Sequence, residues 1–511
     1  MTDLYINNDQ NMFEVHSKQR GGRKVFGLSF VITIGVVIAL VILAAGSLPT
    51  KWSIFYFLML STFFVGLFIR KPRQYILTLL ILSIQFQASK FIFKGIAHFG
   101  GAKGVEIQLS DVGLALLILM WISDLSLHKR KLNLFPYITV PAILFLFAGG
   151  MSLVNSSYLH LSLFELIRIG KYFLLYLCVA NIMRPKEDLP WCINALAFSI
   201  LIQGFIAIAQ MLHGGPLGLG ILGESESRIV VAWDIDVQRT VGTLSGPNAY
   251  GMYLGAIIPI AFAMLFIQMK SINKLFYMVA LAAGIVGLVL SLCRSQWIIL
   301  PFVIMLVFML SQRRMTSKRM PWLAAIVFVI VAVAIVASFS NLVSARLSSN
   351  FEAAISRVPL VRAATWAIRA HPIIGMGINT YSLSISKYDP TSDHTVGIGH
   401  PPDAARTMNV FHPVHNIFLL YAAEIGLIGL ASFLWLITRT YKALFYTIRN
   451  GDELSKAVGI GIFGGFTAIF FHSMVDWALI WNSLFTLFWL LIAIVAVLHL
   501  NSKERSKVLK G

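Results

Sequence analysis

Residues 478–500 read ALIWNSLFTLFWLLIAIVAVLHL, an apolar run that contains no Asp, Glu, Lys or Arg. A helix needs roughly 20 such residues to cross the hydrocarbon core of a bilayer, so this stretch predicts a membrane-spanning helix. Comparable runs recur along the chain and give about fourteen candidate spans of similar length. The candidate spans lie near residues 25–46, 52–69, 75–93, 107–127, 136–154, 161–182, 191–212, 247–269, 275–292, 296–311, 322–340, 413–437, 457–476 and 478–500.

The overall composition also indicates a membrane protein. Of the 511 residues, 58% are hydrophobic and only 12% are charged, whereas a soluble domain has roughly 25% charged residues. The formal net charge of +19 would suggest a nucleic-acid partner in a soluble protein. Here the basic residues sit in short loops between apolar runs, so they indicate topology and no nucleic acid is expected. The three cysteines, Cys178, Cys192 and Cys293, have no metal-ligand spacing.

Most basic residues fall on one side of the membrane if the amino terminus lies inside and the spans alternate. The first apolar run is longer than the core of a signal peptide, so it is predicted to be a signal anchor. The sequence therefore predicts an all-α polytopic membrane protein with about 12–14 transmembrane helices and one large, partly helical extracytoplasmic loop. Its segments are a cytoplasmic tail at 1–24, transmembrane helices at 25–340, the loop at 341–412, transmembrane helices at 413–500 and a cytoplasmic tail at 501–511.

Two segments predicted on the outside, 213–246 and 341–412, are too long to be simple turns. A long polar loop in a compact membrane protein is usually functional. In the second loop, residues 351–370 have the helical spacing of apolar residues, whereas residues 387–410 are less regular. The residues that suggest chemistry gather in or beside these outside segments.

The first cluster is RTVGTLSGPN at residues 239–248, at the end of the first long loop. Pro247 suits the first turn of a helix, and Ser245 is a candidate N-cap. Arg239 beside a helix amino terminus is a good arrangement for binding an anion. A basic anchor in front of an ordinary capped helix would explain the same residues. Arg294, between the ninth and tenth spans, is similarly either functional or an arginine that snorkels to the interface.

The second long loop carries a further cluster. Arg362 and Trp366 are four residues apart and share a helix face. Gly375 and Gly377 mark a tight turn after that helix. A structural amphipathic helix that ends in a turn would also account for these four residues.

His415 belongs to the motif FHPVHN at residues 411–416. Pro413 fits the first turn of the twelfth span, which would place His415 within that turn. The helix dipole disfavours imidazolium there, and a neutral imidazole is what a general base needs. The alternative is a polar residue that satisfies an interfacial helix end.

Charged residues inside the spans favour structural roles. Glu424 in the twelfth span needs a partner, and Gly426 and Gly429 permit close helix contact. In the sixth span, Glu165 and Arg168 are three residues apart and predict an internal ion pair.

Taken in order, these clusters resemble the pattern of the O-antigen ligase and O-antigen polymerase superfamily. That pattern has an arginine before Gly-Thr and Pro-Asn, then Ser-Arg or a close variant, then a large outside loop with Arg…Trp and Pro-x-x-Gly-x-Gly. It ends with His-Asn-x-Phe-Leu and Gly-Leu-x-Gly. The corresponding residues are Arg239, Gly242, Thr243, Pro247, Asn248, Cys293, Arg294, Arg362, Trp366, Pro372, Gly375, Gly377, His415, Asn416, Gly426, Leu427 and Gly429. The resemblance covers about residues 200–435, and Cys293 departs from the serine that many members have before the arginine.

The resemblance implies a metal-independent, cofactor-free glycosyltransferase in the bacterial cytoplasmic membrane. It would take a glycan from undecaprenyl diphosphate on the outer face and transfer it, with inversion, to a hydroxyl group of an acceptor glycan or lipid A-core. Arg239, Arg294 and Arg362 would bind the diphosphate, because guanidinium groups neutralise it without a metal. His415 would take the proton from the acceptor hydroxyl. Supporting roles fall to Asn248, Trp366, Gly375, Gly377, Asn416 and Glu424.

Several functions stay open at this point. A polymerase would use a second lipid-linked repeat unit, a ligase would use lipid A-core, and a related group glycosylates proteins; besides membrane lipids, a flippase and a chain-length regulator are expected partners. From another class, so many spans also suit a polysaccharide flippase or another transporter, such as the ion or inorganic-carbon transporters that some superfamily members have been labelled as. A flippase should show two related halves and a charged central cavity, and the sequence has no internal repeat.

Overall fold

The computed structural model describes residues 69–128, 133–225, 229–232, 235–315, 340, 357–387 and 412–508. The predicted spans at 25–46, 52–69 and 322–340 lie outside these residues except at positions 69 and 340, and so does nearly all of the irregular stretch 387–410. The chain divides into two compact units, Met1–Pro72 and Arg73–Gly511, and the second contains the features that follow.

The described residues form helices and two hairpins. The helices are α1 (Pro72–Ile84), α2 (Leu109–His128), α3 (Thr139–Met151), α4 (Leu159–Ile182), α5 (Pro185–His213), α6 (Pro247–Met264), α7 (Ser271–Leu290), α8 (Arg294–Arg314), α9 (Arg357–Ala370), α10 (Tyr381–Ser384), α11 (Ile417–Asn450), α12 (Glu453–Ser473) and α13 (Asn482–Val508). Short 3-10 helices lie at Ser152–Asn155, Gly220–Leu222, Ile385–Lys387 and Ala478–Ile480. The strands are β1 (Ser89–Lys94) and β2 (Gly104–Gln108) in one hairpin, and β3 (Ile229–Ala232) and β4 (Ile235–Gln238) in the other.

Seven of the described helices are long and apolar enough to cross a membrane, which confirms the all-α polytopic class. They are α2, α5, α7, α8, α11, α12 and α13. The ninth and tenth predicted spans are both present, as α7 and α8, with only residues 291–293 between them. The predicted helix at 351–370 is confirmed over its described part by α9.

The third predicted span, 75–93, is wrong in its extent. Helix α1 ends at Ile84, and the chain then enters the antiparallel hairpin of β1 and β2. The sequence GGAKG at residues 100–104 supplies the turn region, where glycines relax the backbone. A hydropathy window counts the apolar residues of 85–93 as membrane-spanning, although residues 89–93 belong to strand β1.

Helix α12 packs closely against α6 through glycines. A Cβ atom at Gly461 would lie 2.5 Å from the Cα atom of Ile260, and one at Gly465 would overlap the carbonyl group of Ala256. Small residues let two helix backbones approach inside a membrane, where burial from water does not drive association. This packing brings the start of α6 beside the turn that follows α12.

Helix α11 is broken at Gly426, whose φ of +70° and ψ of −176° are not helical. A break at membrane depth exposes backbone groups that need partners. The segment between α9 and α10 supplies them through hydrogen bonds from Met376 N to Ala423 O (2.9 Å), from Gly377 N to Glu424 O (3.0 Å) and from Leu427 N to Pro372 O (2.8 Å). The segment 372–377 is thereby fastened to the helix that begins just after His415.

Glycine is required on both sides of this junction. Gly375 has a φ of +74°, and a Cβ atom there would lie 2.5 Å from the amide nitrogen of Ile425. Gly377 has a φ of +112° and faces the backbone of Ser156 at 2.6 Å. The tight turn predicted at Gly375 and Gly377 is confirmed, and its function is a close backbone-to-backbone contact.

Candidate functional site

One cavity of about 500 Å³ is formed by segments that are far apart in sequence. Its walls come from the β1–β2 hairpin, residues 223–225, Arg239 with residues 245–249, the histidines 412 and 415, and the turn at 476–483. The alternation of basic residues predicts each of these segments at the outer end of a span. The volume lies in the range of roughly 300–1,000 Å³ that is usual for small-molecule pockets.

Arg239 lies in the wall of this cavity, with only 7% of its surface exposed. Its Nε donates to the carbonyl of Ser291 (3.0 Å), and its Nη2 donates to Asn248 Oδ1 (2.9 Å) and to the carbonyl of Leu292 (3.4 Å). Leu292 has a φ of +53°, which is strained for a residue with a branched side chain. Arg239 therefore connects the RTVGTLSGPN cluster to the turn directly before Arg294.

Two glutamines of α5 hold the Gly-Thr part of this cluster. Gln203 Nε2 donates to Thr243 Oγ1 (2.6 Å), and Gln210 Oε1 accepts from the amide of Gly242 (3.0 Å). Gly242 has a φ of +58°, and a Cβ atom there would overlap the amide oxygen of Gln203. Gly242 and Thr243 therefore help to position Arg239, and neither of them lines the cavity in the described part of the chain.

The start of α6 differs from the prediction in one respect. Pro247 is the first helical residue as predicted, but Gly246 occupies the N-cap. The predicted cap at Ser245 is wrong, because the Ser245 hydroxyl donates to the Gln87 side chain across the loop instead. Asn248, the residue after Pro247, lines the cavity and accepts the hydrogen bond from Arg239.

The turn after α12 connects the arginine to the histidine. Asn248 Nδ2 donates to Asp476 Oδ2 (2.7 Å), and Asp476 also accepts from the amide of Ala478 (2.8 Å). Two residues before Asp476, the carbonyl of Met474 accepts from Asn416 Nδ2 (3.1 Å). One short turn thus contacts both the Arg239–Asn248 pair and the residue that follows His415.

His415 and His412 both line the cavity, with their ring centroids 6.4 Å apart. His412 stacks on Phe99 of the hairpin at a centroid distance of 4.3 Å. The prediction that His415 lies in the first turn of a helix is wrong, because Asn416 is the N-cap and α11 begins at Ile417. The Asn416 side chain accepts from the amides of Phe418 (2.9 Å) and Leu419 (3.0 Å), as an N-cap does.

Three other predicted site residues do not line this cavity as the described residues define it. Arg294 is the first residue of α8 and is half-buried. Arg362 is exposed on α9, and Trp366, one turn later, is half-buried. The roles expected for them stay predictions. Beside Arg294, burial raises the pKa of the Cys293 thiol, so this departure from the family pattern introduces a neutral thiol.

Glu424 finds its partner at the start of α10. Its carboxylate is buried in α11 and accepts from the amide of Tyr381 (3.1 Å). Together with Gly375 and Gly377, it belongs to the junction between the loop and the broken helix. These three residues therefore hold the segment 372–381 against α11.

Other residues of the cavity were not predicted as functional-site residues. Arg168 lines it and pairs with Glu165 (2.5 Å), which confirms the predicted ion pair, and also donates to Asn482 Oδ1 (2.9 Å). Asp476 and His412 line it as well. The only local signal for Asp476 is a carboxylate between two apolar runs at their outer end.

A comparison with known families bears on part of the region that carries the motifs. Residues 276–434 match the family model described as O-antigen ligase. The match includes Arg294, Arg362, Gly375, Gly377, His415, Asn416 and Glu424, while Arg239 and Asn248 precede it. No curated protein matches the chain. The match supports the resemblance to the O-antigen ligase and polymerase superfamily over this region, and with it a glycosyltransferase type of activity.

Proposed function

We propose that this protein transfers a glycan from undecaprenyl diphosphate to an acceptor hydroxyl on the outer face of the bacterial cytoplasmic membrane. The observation that carries the proposal is that Arg239 and His415, from distant segments, line one cavity and are joined through the turn after α12. An arginine suits a diphosphate and a histidine suits a hydroxyl proton, which are the two needs of this transfer. The family match supplies the class of reaction.

Arg239 would hold the donor diphosphate. Its guanidinium is buried, so its charge acts on a phosphate with little screening by water. Hydrogen bonds to the carbonyl oxygen of Ser291 and to the side-chain oxygen of Asn248 fix the plane of the guanidinium before the donor binds. When the bond between the anomeric carbon and the phosphate oxygen breaks, the electron pair stays on the diphosphate. Arg239 would stabilise that added charge without a metal.

His415 would act as the general base. The acceptor hydroxyl oxygen forms the new bond to the anomeric carbon, and its proton moves to an imidazole nitrogen of His415. Attack from the side opposite the leaving diphosphate inverts the anomeric centre. Asn416 fixes the backbone next to His415 through the helix cap and the bond to Met474, which holds the imidazole in place for this step.

Arg294 and Arg362 are proposed as further contacts for the donor. Arg294 follows the turn whose carbonyl groups Arg239 binds, so a diphosphate that extends along this turn would meet both charges. Arg362 is exposed on α9, which packs against α11. Trp366 on the same helix would support it.

The proposal covers two kinds of enzyme, a repeat-unit polymerase and an O-antigen ligase, which differ in the acceptor. Both use the same donor, and both need the hydroxyl next to His415. A polymerase would work with a flippase that supplies the donor and with a chain-length regulator.

Purified protein with a synthetic undecaprenyl-diphosphate glycan tests this function. We expect wild-type protein to release undecaprenyl diphosphate with either a second lipid-linked glycan or lipid A-core as acceptor, and the acceptor that works assigns polymerase or ligase. His415→Ala should release none, whereas His160→Ala, an exposed histidine on α4, should behave as wild type. No release by wild type with either acceptor would refute the transferase. Equal release by His415→Ala, combined with loss in His412→Ala, would move the base to His412.

A further inference from the structure

The β1–β2 hairpin turns one face towards the cavity. Ser89, Phe91, Glu106 and Gln108 line the cavity, whereas Ile92 does not and is 55% exposed. Ser89 pairs with Gln108 and Phe91 pairs with Glu106, so these four side chains share one face of the two-stranded sheet. This face combines an aromatic ring with hydroxyl, carboxylate and amide groups.

The turn between α12 and α13 adjoins that face. Trp481 and Asn482 line the cavity there, and Asn482 donates to the carboxylate of Glu106. Trp481 is half-buried and lies 5.6 Å from Trp477 between ring centroids. The hairpin and the turn therefore form one continuous wall that includes the aromatic rings of Phe91 and Trp481 and several planar polar groups.

The turn that forms part of this wall is also connected to Arg239. Asp476 begins the turn and accepts from Asn248, which accepts from Arg239. In a lipid-linked glycan the first sugar is bonded directly to the diphosphate. A diphosphate at Arg239 must therefore place that sugar in the same cavity, next to the turn at 476–483.

We propose, on the basis of the proposed function, that this wall is a subsite for a single sugar ring, the one bonded to the diphosphate. A pyranose ring has apolar C–H faces that suit Phe91 and Trp481, and hydroxyl edges that suit amide and carboxylate groups such as Gln108 and Glu106. A cavity of about 500 Å³ holds one small ligand, so the second and later sugars lie outside it. The protein thus selects its donor by the first sugar and tolerates variation in the sugars beyond.

Native mass spectrometry of the purified protein tests this subsite. The probes are undecaprenyl diphosphate alone, the same lipid bearing one glucose, galactose, N-acetylglucosamine or N-acetylgalactosamine, and the lipid bearing a tetrasaccharide that begins with the preferred sugar. We expect one of the single sugars to raise affinity about tenfold over the bare lipid diphosphate, a gain typical of one or two ring and hydrogen-bond contacts. The tetrasaccharide should bind as the single sugar does.

The variants separate the subsite from the lipid site. Phe91→Ala and Trp481→Ala should lose the gain from the sugar and bind the bare lipid diphosphate as wild type does. Ile92→Ala, at a neighbouring exposed strand residue that does not line the cavity, should keep the gain. The subsite is overturned if no single sugar binds better than the bare lipid, if the variants lose bare and glycosylated lipid equally, or if the tetrasaccharide adds a further tenfold. Binding with sugar preference but no turnover with any acceptor would instead overturn the proposed transferase and leave the subsite standing.

Discussion

Replacing Arg239 by lysine tests the role of its guanidinium group while it retains the positive charge. Arg239 makes hydrogen bonds to Ser291 O (3.0 Å) and Asn248 Oδ1 (2.9 Å) from two different nitrogens of one plane. A lysine ammonium is a point charge on a flexible stem and cannot reproduce that fork. The substitution therefore removes the fixed orientation of the charge and a guanidinium N–H donor that the proposed contact with phosphate uses.

The size of the effect follows from the bonds that are lost. A hydrogen bond that involves a charged group contributes about 1.5–3 kcal/mol, so loss of one such bond to the diphosphate should lower kcat/KM by about 10- to 150-fold. A buried carbonyl left without its donor costs about 1–3 kcal/mol, so Arg239→Lys should also be less stable to heat. The activity loss should exceed what the fraction of folded protein explains.

Initial rates of undecaprenyl diphosphate release, measured at several donor concentrations, give kcat and KM for the folded variant. Arg369→Lys, at an exposed arginine in the last turn of α9, is the matched control and should keep wild-type values. If Arg239→Lys keeps the wild-type kcat/KM, the guanidinium does not hold the diphosphate, and the assignment of Arg239 is refuted.

Three further predictions concern the frame around the site. Gly375→Ala and Gly426→Ala should each destabilise the protein by about 2–5 kcal/mol, because a side chain is strained at positive φ and its Cβ atom would lie within 2.6 Å of backbone atoms. Gly170→Ala, where a Cβ atom would meet nothing within 4 Å, is the control in thermal denaturation. Equal melting temperatures for all three variants would contradict the close backbone contact between the loop and α11. Asn416→Ala should lower the free energy of unfolding by about 0.5–2 kcal/mol through loss of the helix N-cap, and it should lower kcat. Asn416→Asp should keep the cap. Unchanged activity in the alanine variant would show that Asn416 is not a positioning residue. Reporter fusions after residue 390 and after Asn450 should report the outside and the inside of the membrane respectively, and the reverse result would invert the topology.

The membrane fold could be predicted because its signals are local. An apolar run such as α13 and the charges between runs need no tertiary knowledge, and neither do Pro247 at the start of α6 or the turn at Gly375 and Gly377. The hairpin could not be predicted in this way. Its residues are apolar enough to extend the third span, and only pairing across the turn, such as Phe91 with Glu106, shows that they form a sheet.

The site was predictable only in part, because a cavity is assembled by contacts between distant segments. Arg239 and His415 were accessible through motifs that sit beside helix starts. The start of α11 was placed too early because Pro413 is a good first residue, whereas the Asn416 side chain competes successfully for the first amides. Arg168 was predicted only as the ion-pair partner of Glu165, and Asp476 has no motif of its own. Both line the cavity beside residues that are distant in sequence, Asn482 and Asn248, to which they are hydrogen-bonded.

The central claim is that the donor diphosphate lies in the cavity of Arg239 and His415, and photocrosslinking tests it directly. An undecaprenyl diphosphate analogue with a diazirine on the first isoprene unit, activated on the purified protein, should label peptides that contain residues 239–249 and 412–415. Excess unlabelled donor should suppress the labelling. Competable labelling confined to α9 around Arg362, with none in the cavity segments, would contradict the account.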